Sequence, residues 1–239
     1  MTKYFKAVII DRNAPLQAFK TLNELSILTV LSAKIANIIT DLSTHPDMQI
    51  MEIQENIFVC EPSVFDYYCE VLSPFNVKIL KGATSLTSKY PGDIAYNAAR
   101  LEVLLLHKTD ATDDVIKTNF SGRIVNVNQG YTKCSLCKVS ENAVITSDGG
   151  IAASLKSEGV DVLEISQDDI VLDGFGYGFI GGCTGLIAKN KLAFCGDITT
   201  RRDCGDILTF LKKHNVEAVS LCGGKLTDIG SIIPITGCE

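Results

Sequence analysis

The sequence predicts an α/β ring of five ββαβ units. Three observations carry that expectation: a pattern of polar tip, apolar strand, tight turn, strand, helix and closing strand recurs along the chain; four copies are complete; and a fifth is divided between the two ends. An α/β sandwich without symmetry is the plainer alternative, and it leaves the recurrence unexplained.

At the N-terminus, residues 5–10 form an apolar run broken only by Lys6 and read as a strand, followed by a helix near 15–25 and a strand at 27–31. The first complete unit has strands at 47–52 and 57–60 around the turn Gln54-Glu55-Asn56, then a helix at 63–72 and a strand at 76–80. The second begins at Asp93 and continues through Glu102-Val103-Leu104-Leu105-Leu106, a helix near 113–118 and a strand at 123–127. The third starts at Cys134, turns at Glu141-Asn142, continues at 143–146, carries a helix over 151–158 capped by Gly159, and closes at 160–165. The fourth uses 179–188, the turn Lys189-Asn190, 191–195, a helix over 204–213 and a strand at 217–221. A C-terminal strand at 228–235 then completes the fifth unit beside residues 5–10, which removes exposed sheet edges from the ring. Residues 1–239 are expected to form one domain.

Composition narrows the function. With 46% hydrophobic residues over 239 positions the chain has material for a substantial core. A net charge of -6 without clustered Lys or Arg argues against a nucleic-acid partner and leaves a small molecule as the expected ligand. No apolar run approaches the twenty or so residues of a membrane span. No cleavable signal pattern opens the chain, so a cytoplasmic location with reduced thiols is expected for its nine cysteines. Cys134-Ser135-Leu136-Cys137 lacks the second ligand pair a zinc site needs, and its reading as strand argues against a redox dithiol. No metal or cofactor is expected. The glycine run at 173–185 lacks a Walker lysine and is read as close packing at the ring centre. His107 and His214 are read as structural.

In a radial array the tips that open each unit gather at the centre. These tips are His45-Pro46-Asp47, Pro91-Gly92-Asp93, Lys133-Cys134-Ser135, the glycine run and Thr227-Asp228-Ile229-Gly230. Only three histidines occur in the chain. One of them, His45, falls two units before Cys134, and a cysteine served by a histidine is the usual equipment for nucleophilic catalysis at neutral pH.

The stretches His45-Pro46-Asp47, Tyr90-Pro91-Gly92-Asp93-Ile94-Ala95-Tyr96-Asn97, Leu105-Leu106-His107-Lys108-Thr109 and Lys133-Cys134-Ser135 resemble the guanidino-group-modifying enzymes, or penteins. Among these the dimethylarginine dimethylaminohydrolases are the most similar, over residues 45 to about 147. The resemblance implies a five-bladed α/β-propeller with pseudo-fivefold symmetry. In that family the acid lies one unit before the histidine. Here that unit is the C-terminal one, so the chain resembles a circular permutation, with Thr227-Asp228-Ile229-Gly230-Ser231-Ile232 matching the acid-bearing strand.

Carried over by position, the resemblance implies Cys134 as nucleophile, His45 as general acid and base and Asp228 as orienting carboxylate. It implies a hydrolase or amidinotransferase acting on a small amidine or guanidine through a covalent thiouronium. A thiol lowered in pKa beside an imidazolium or Lys133 suits that role. Asp47, Asp93, Asn97, Lys133, Gly181 and Gly182 are the substrate-binding candidates, Asp47 by analogy with the histidine-x-aspartate tip of arginine deiminases. The family also places acidic anchors in the unit equivalent to 179–188, where this chain has Gly181-Gly182-Cys183. That departure keeps a second reading open: a non-catalytic pentein that binds a ligand or macromolecule, like the ribosomal anti-association factor of the superfamily. Assembly, if any, is expected as a homodimer.

Overall fold

In the structure, a computed structural model describing residues 3–238, five three-stranded sheets are built the same way. In each, the middle strand pairs antiparallel with the first and parallel with the third. One sheet joins the ends of the chain: β1 (Lys3–Ile10) lies between β2 (Leu28–Leu31) and the C-terminal β15 (Ile233–Cys238), with helix α1 (Leu16–Glu24) in the crossover.

The four internal units follow in order. A one-turn helix α2 (Pro46–Gln49) leads into β3 (Ile50–Gln54), β4 (Ile57–Cys60), α3 (Phe65–Leu72) and β5 (Lys78–Lys81). Next come β6 (Ala99–Leu101), β7 (Leu104–His107), α4 (Asp114–Asn119) and β8 (Arg123–Asn126). A second one-turn helix, α5 (Thr132–Ser135), precedes β9 (Leu136–Ser140), β10 (Ala143–Thr146), α6 (Gly149–Ser157) and β11 (Asp161–Glu164). The last internal unit is β12 (Thr184–Ala188), β13 (Lys191–Phe194), α7 (Cys204–Lys213) and β14 (Glu217–Ser220).

Local chemistry explains these elements. The middle strands Ile57-Phe58-Val59-Cys60 and Ala143-Val144-Ile145-Thr146 are apolar on nearly every residue, as strands flanked by partners and covered on both faces must be. Asp113 and Asp148 cap α4 and α6 by accepting from Val115 N at 2.9 Å and Ile151 N at 2.8 Å. First strands approach one another: β12 packs against β9 and β15, and β9 against β6. The buried Cys60, Cys137, Cys183 and Cys195 behave as small hydrophobes, and no disulfide forms among the described residues.

The structure departs from the sequence expectation in three respects. The strands expected to start at Asp47 and at Cys134 are preceded by helical turns over Pro46–Gln49 and Thr132–Ser135, so Cys134 sits on α5 and the strand starts after it. The cause at α2 is Pro46 at the first helical position. At α5 it is the Asn97 side chain, whose Oδ1 accepts from Lys133 N at 2.9 Å and Cys134 N at 3.2 Å. β15 begins at Ile233 and β12 at Thr184, both later than expected.

The residues before β12 form the third difference. From 166 to 183 the chain is irregular, held at its start by the buried Arg201, which donates to Ser166 O (3.0 Å) and Asp168 O (2.6 Å) while paired with Asp203. An isolated bridge between Val171 and Thr227 fastens it to the C-terminal segment. Loops this long in compact folds usually carry function. Among the described residues no helix is long and apolar enough to cross a membrane.

Candidate active site

His45 caps the start of α2, and the C-terminal segment holds it there. Asp47 N donates to Gly230 O at 3.0 Å. Gly230 has φ +70°, and a Cβ on it would run into the His45 side chain, so glycine is required on both counts. The buried His45 ring lies between two carboxylates: Nδ1 is 3.9 Å from Asp228 Oδ1 and Nε2 is 3.8 Å from Asp11 Oδ2. Both carboxylates are fixed from elsewhere. Asp228 accepts from Gly230 N (3.0 Å) and Phe179 N (2.9 Å), and Asp11 accepts from Thr44 Oγ1 (3.0 Å) and Asn13 N (2.8 Å).

Cys134 faces a second polar group. Asn97 Nδ2 donates to its sulfur at 3.0 Å, and the thiol donates to Asp47 Oδ2 at 3.1 Å. Behind it, Ser231 Oγ donates to the same Asp47 oxygen at 2.6 Å and accepts from Lys133 Nζ at 3.0 Å. Burial, followed by the charges of Asp47 and Asp228, pushes the Cys134 thiol well above the ordinary cysteine range, and the Asn97 hydrogen bond only partly offsets this. The expectation of a lowered thiol is therefore corrected: burial and the two carboxylates favour the protonated sulfur, and the Lys133 ammonium rests on Ser231 with Asp47 between it and the sulfur. Burial also raises Asp228 to about 6, against the pull of His45 and the two backbone N–H groups.

Cys134, His45 and Asp228 line one cavity of about 400 Å³. Asp47, Asp93, Asn97, Lys133, Gly181 and Gly182 do not line it; Lys133 lines a separate, smaller cavity. Asp47 and Asn97 bracket the sulfur. Asp93 accepts from the Tyr131 hydroxyl at 2.6 Å, which fixes a ring that does line the cavity. Asp47 Oδ1 and Asp93 Oδ1 are buried without a hydrogen-bond partner. Gly182 explains the missing acidic anchor: a Cβ there would strike the Asp228 carboxylate, so the position is bare because an acid from the end of the chain occupies its space. A Cβ on Gly181 would meet the backbone carbonyls of Lys133, Cys134 and Leu136, so the loop presses directly on the Cys134 turn.

Sequence reasoning missed Asp11, Ser231 and an aromatic wall made by Tyr90, Tyr131, Phe175, Tyr177 and Phe179. Asp11 had a weak signal, an acid directly after an apolar strand, the place Glu61 holds in the next unit. Among the described residues no group of three or more His, Cys, Asp or Glu is arranged to hold a metal ion.

Residues 9–233 match a family of unknown function, DUF6873. The chain belongs to that family. No curated protein sequence matches it. Solved structures similar to this DUF6873 protein include dimethylarginine dimethylaminohydrolase from Pseudomonas aeruginosa in complex with citrulline, at TM-score 0.58 and 8% identity, covering 98% of this chain and 99% of that one. SxtG, an amidinotransferase of saxitoxin biosynthesis from Microseira wollei, gives TM-score 0.55 at 8% identity over 95% and 94% of the two chains. C. jejuni agmatine deiminase gives 0.50 at 14% identity over 91% and 76%. The DUF6873 chain thus has the pentein fold.

Proposed function

We propose that this protein is a pentein-type hydrolase or amidinotransferase that cleaves a C–N bond of a small amidine or guanidine, with Cys134 as nucleophile, His45 as general acid and base, and Asp228 as the carboxylate beside His45. The observation that supports this reading is the convergence of sulfur, imidazole and carboxylate on one cavity.

The raised thiol sets the order of events. A neutral thiol is a poor nucleophile. An amidinium entering beside Asp228 brings positive charge to the sulfur, counters the Asp47 and Asp228 carboxylates and favours ionisation. The thiol proton passes to His45 and the thiolate adds to the planar carbon, forming the C–S bond. His45 returns the proton to the departing nitrogen as the C–N bond breaks, leaving a cationic S-alkyl thiouronium. Water, deprotonated by His45, adds to that carbon; the C–S bond then breaks and His45 reprotonates the sulfur. An amine in place of water gives transfer instead of hydrolysis. Selection for cations is thereby built into the ionisation step, since an uncharged ligand leaves the thiol protonated.

A second reading, ligand binding without turnover, draws on the same protonated thiol. Alkylation separates the two. At pH 7, cationic 2-chloroacetamidine is expected to modify Cys134 faster than neutral iodoacetamide by roughly tenfold or more, the equivalent of one pKa unit, with site-resolved mass spectrometry as the readout. A Cys134 inert to both reagents, while exposed Cys69 reacts, would sink the catalytic reading and favour binding.

A further inference from the structure

The cavity has two chemically different ends. Its inner end holds Cys134, His45 and Asp228. Its outer end is a continuous run of aromatic rings: Tyr90 packs on Tyr131 at 5.9 Å between centroids, Tyr131 stacks on Phe179 at 6.2 Å and 30°, and Tyr177 meets Phe179 edge-on at 5.6 Å. The wall is fixed to the reacting end at two points. Tyr131 is held through its hydroxyl by Asp93, and Phe179 donates its N–H to Asp228.

At the mouth, Tyr90, Tyr177 and Phe175 remain 51%, 52% and 42% exposed. Large aromatic rings left in water around one opening mark a surface that is covered by something else. Among the described residues lining this cavity none is lysine or arginine. Its one amide, Gln129, is already used at both ends, accepting from Tyr131 N and donating to Asp148 Oδ2. Asp228 adds negative charge. A carboxylate drawn into this cavity would meet the like charge of Asp228 and neither lysine nor arginine, and it would give up its water largely to aromatic and apolar side chains.

Resting on the proposed amidine chemistry, we infer that the substrate is a guanidine or amidine whose cationic head is joined through a short linker to an aryl or other apolar tail, and that it carries no carboxylate. The head reaches Asp228 and Cys134, while the tail lies on the Tyr131–Phe179 wall and is closed over by Tyr177. Aromatic faces beside a cation-binding carboxylate also stabilise the head directly. A free amino acid of the arginine type is excluded by the same surface.

Titration calorimetry on the full-length Cys134→Ser variant, which holds ligand without turnover, tests this. Benzylguanidine is expected to bind at least about fivefold more tightly than methylguanidine, the equivalent of about one kcal/mol of aryl stacking, and L-arginine more weakly than methylguanidine. Tyr177→Ser, a change at the exposed rim, is expected to reduce benzylguanidine affinity severalfold and leave methylguanidine unchanged. L-arginine binding as tightly as benzylguanidine, or benzylguanidine no tighter than methylguanidine, overturns the inference and leaves the amidine reading standing. If no guanidine binds at all, both fail.

Discussion

His45 and His107 are both buried, and the fold treats them in opposite ways. His107 is bonded at each ring nitrogen, Nδ1 at 2.8 Å to Thr112 Oγ1 and Nε2 at 3.0 Å to Gly130 O. A carbonyl only accepts, so Nε2 carries the hydrogen and Nδ1 accepts from the threonine hydroxyl. Burial lowers its pKa to about 4. The ring is a neutral strut tying the end of β7 to the segment that leads into Cys134. His45 has no hydrogen bond at either nitrogen among the described residues; two carboxylates stand 3.8 and 3.9 Å away instead. What faces the two nitrogens, and not the degree of burial, separates a ring hydrogen-bonded at both ends from one set between two carboxylates.

The contrast breaks most visibly at His45. Turnover of a guanidine substrate by His45→Ala is expected to fall by roughly 10²- to 10⁴-fold, the usual worth of a positioned acid–base group, with the thermal midpoint little changed. A rate within tenfold of the parent would put His45 in the same structural class as His107.

A different signature is expected at His107. Its folded pKa of about 4 lies below the ordinary 6.5, so between those values the unfolded chain binds more protons and stability rises with pH. That contribution is complete above about pH 6.5 and is lost as pH falls toward 4, about 3 kcal/mol in all at 1.36 kcal/mol per unit. His107→Gln keeps a donor for Gly130 O and removes the titration. Its denaturation free energy is therefore expected to vary less steeply over that window, and parallel curves for parent and variant would show that His107 is not held neutral.

Asp228 gives the opposite slope and a smaller effect, because His45 and two N–H groups already offset part of its burial. Its folded pKa, about 6, lies above the ordinary 3.8, so its contribution is present at low pH and is lost as pH rises through 6. The stability of Asp228→Asn relative to the parent is therefore expected to increase between pH 4 and 7. A relative stability that is flat with pH would mean that Asp228 is not a strained buried acid.

Much of the architecture is visible in the linear chain because each unit repeats a local pattern. Middle strands are mostly apolar, three of the four turns between first and middle strands of the internal units carry Asn, and α4 and α6 start at Asp caps, all short-range signals. Of the two one-turn helices, α2 has a local signal in Pro46, whereas α5 is held by Asn97, far away in the chain, and nothing within 132–135 announces that partner. Gly182 reads in sequence as a lost acid, and only in space does it become room for one. The aromatic wall is likewise scattered over residues 90, 131 and 175–179, with no period to connect them.

By itself the sequence determines the five units, their order, the split of the last between the chain's ends, and the pair His45 and Cys134 at two of the tips, since periodicity and residue scarcity are properties of a string. Tertiary structure decides the protonation of Cys134, the two carboxylates that flank His45 and the apolar character of the cavity's mouth. The state of the thiol depends on charge and water within a few ångströms, and the charges come from positions 47 and 228, which no local pattern relates.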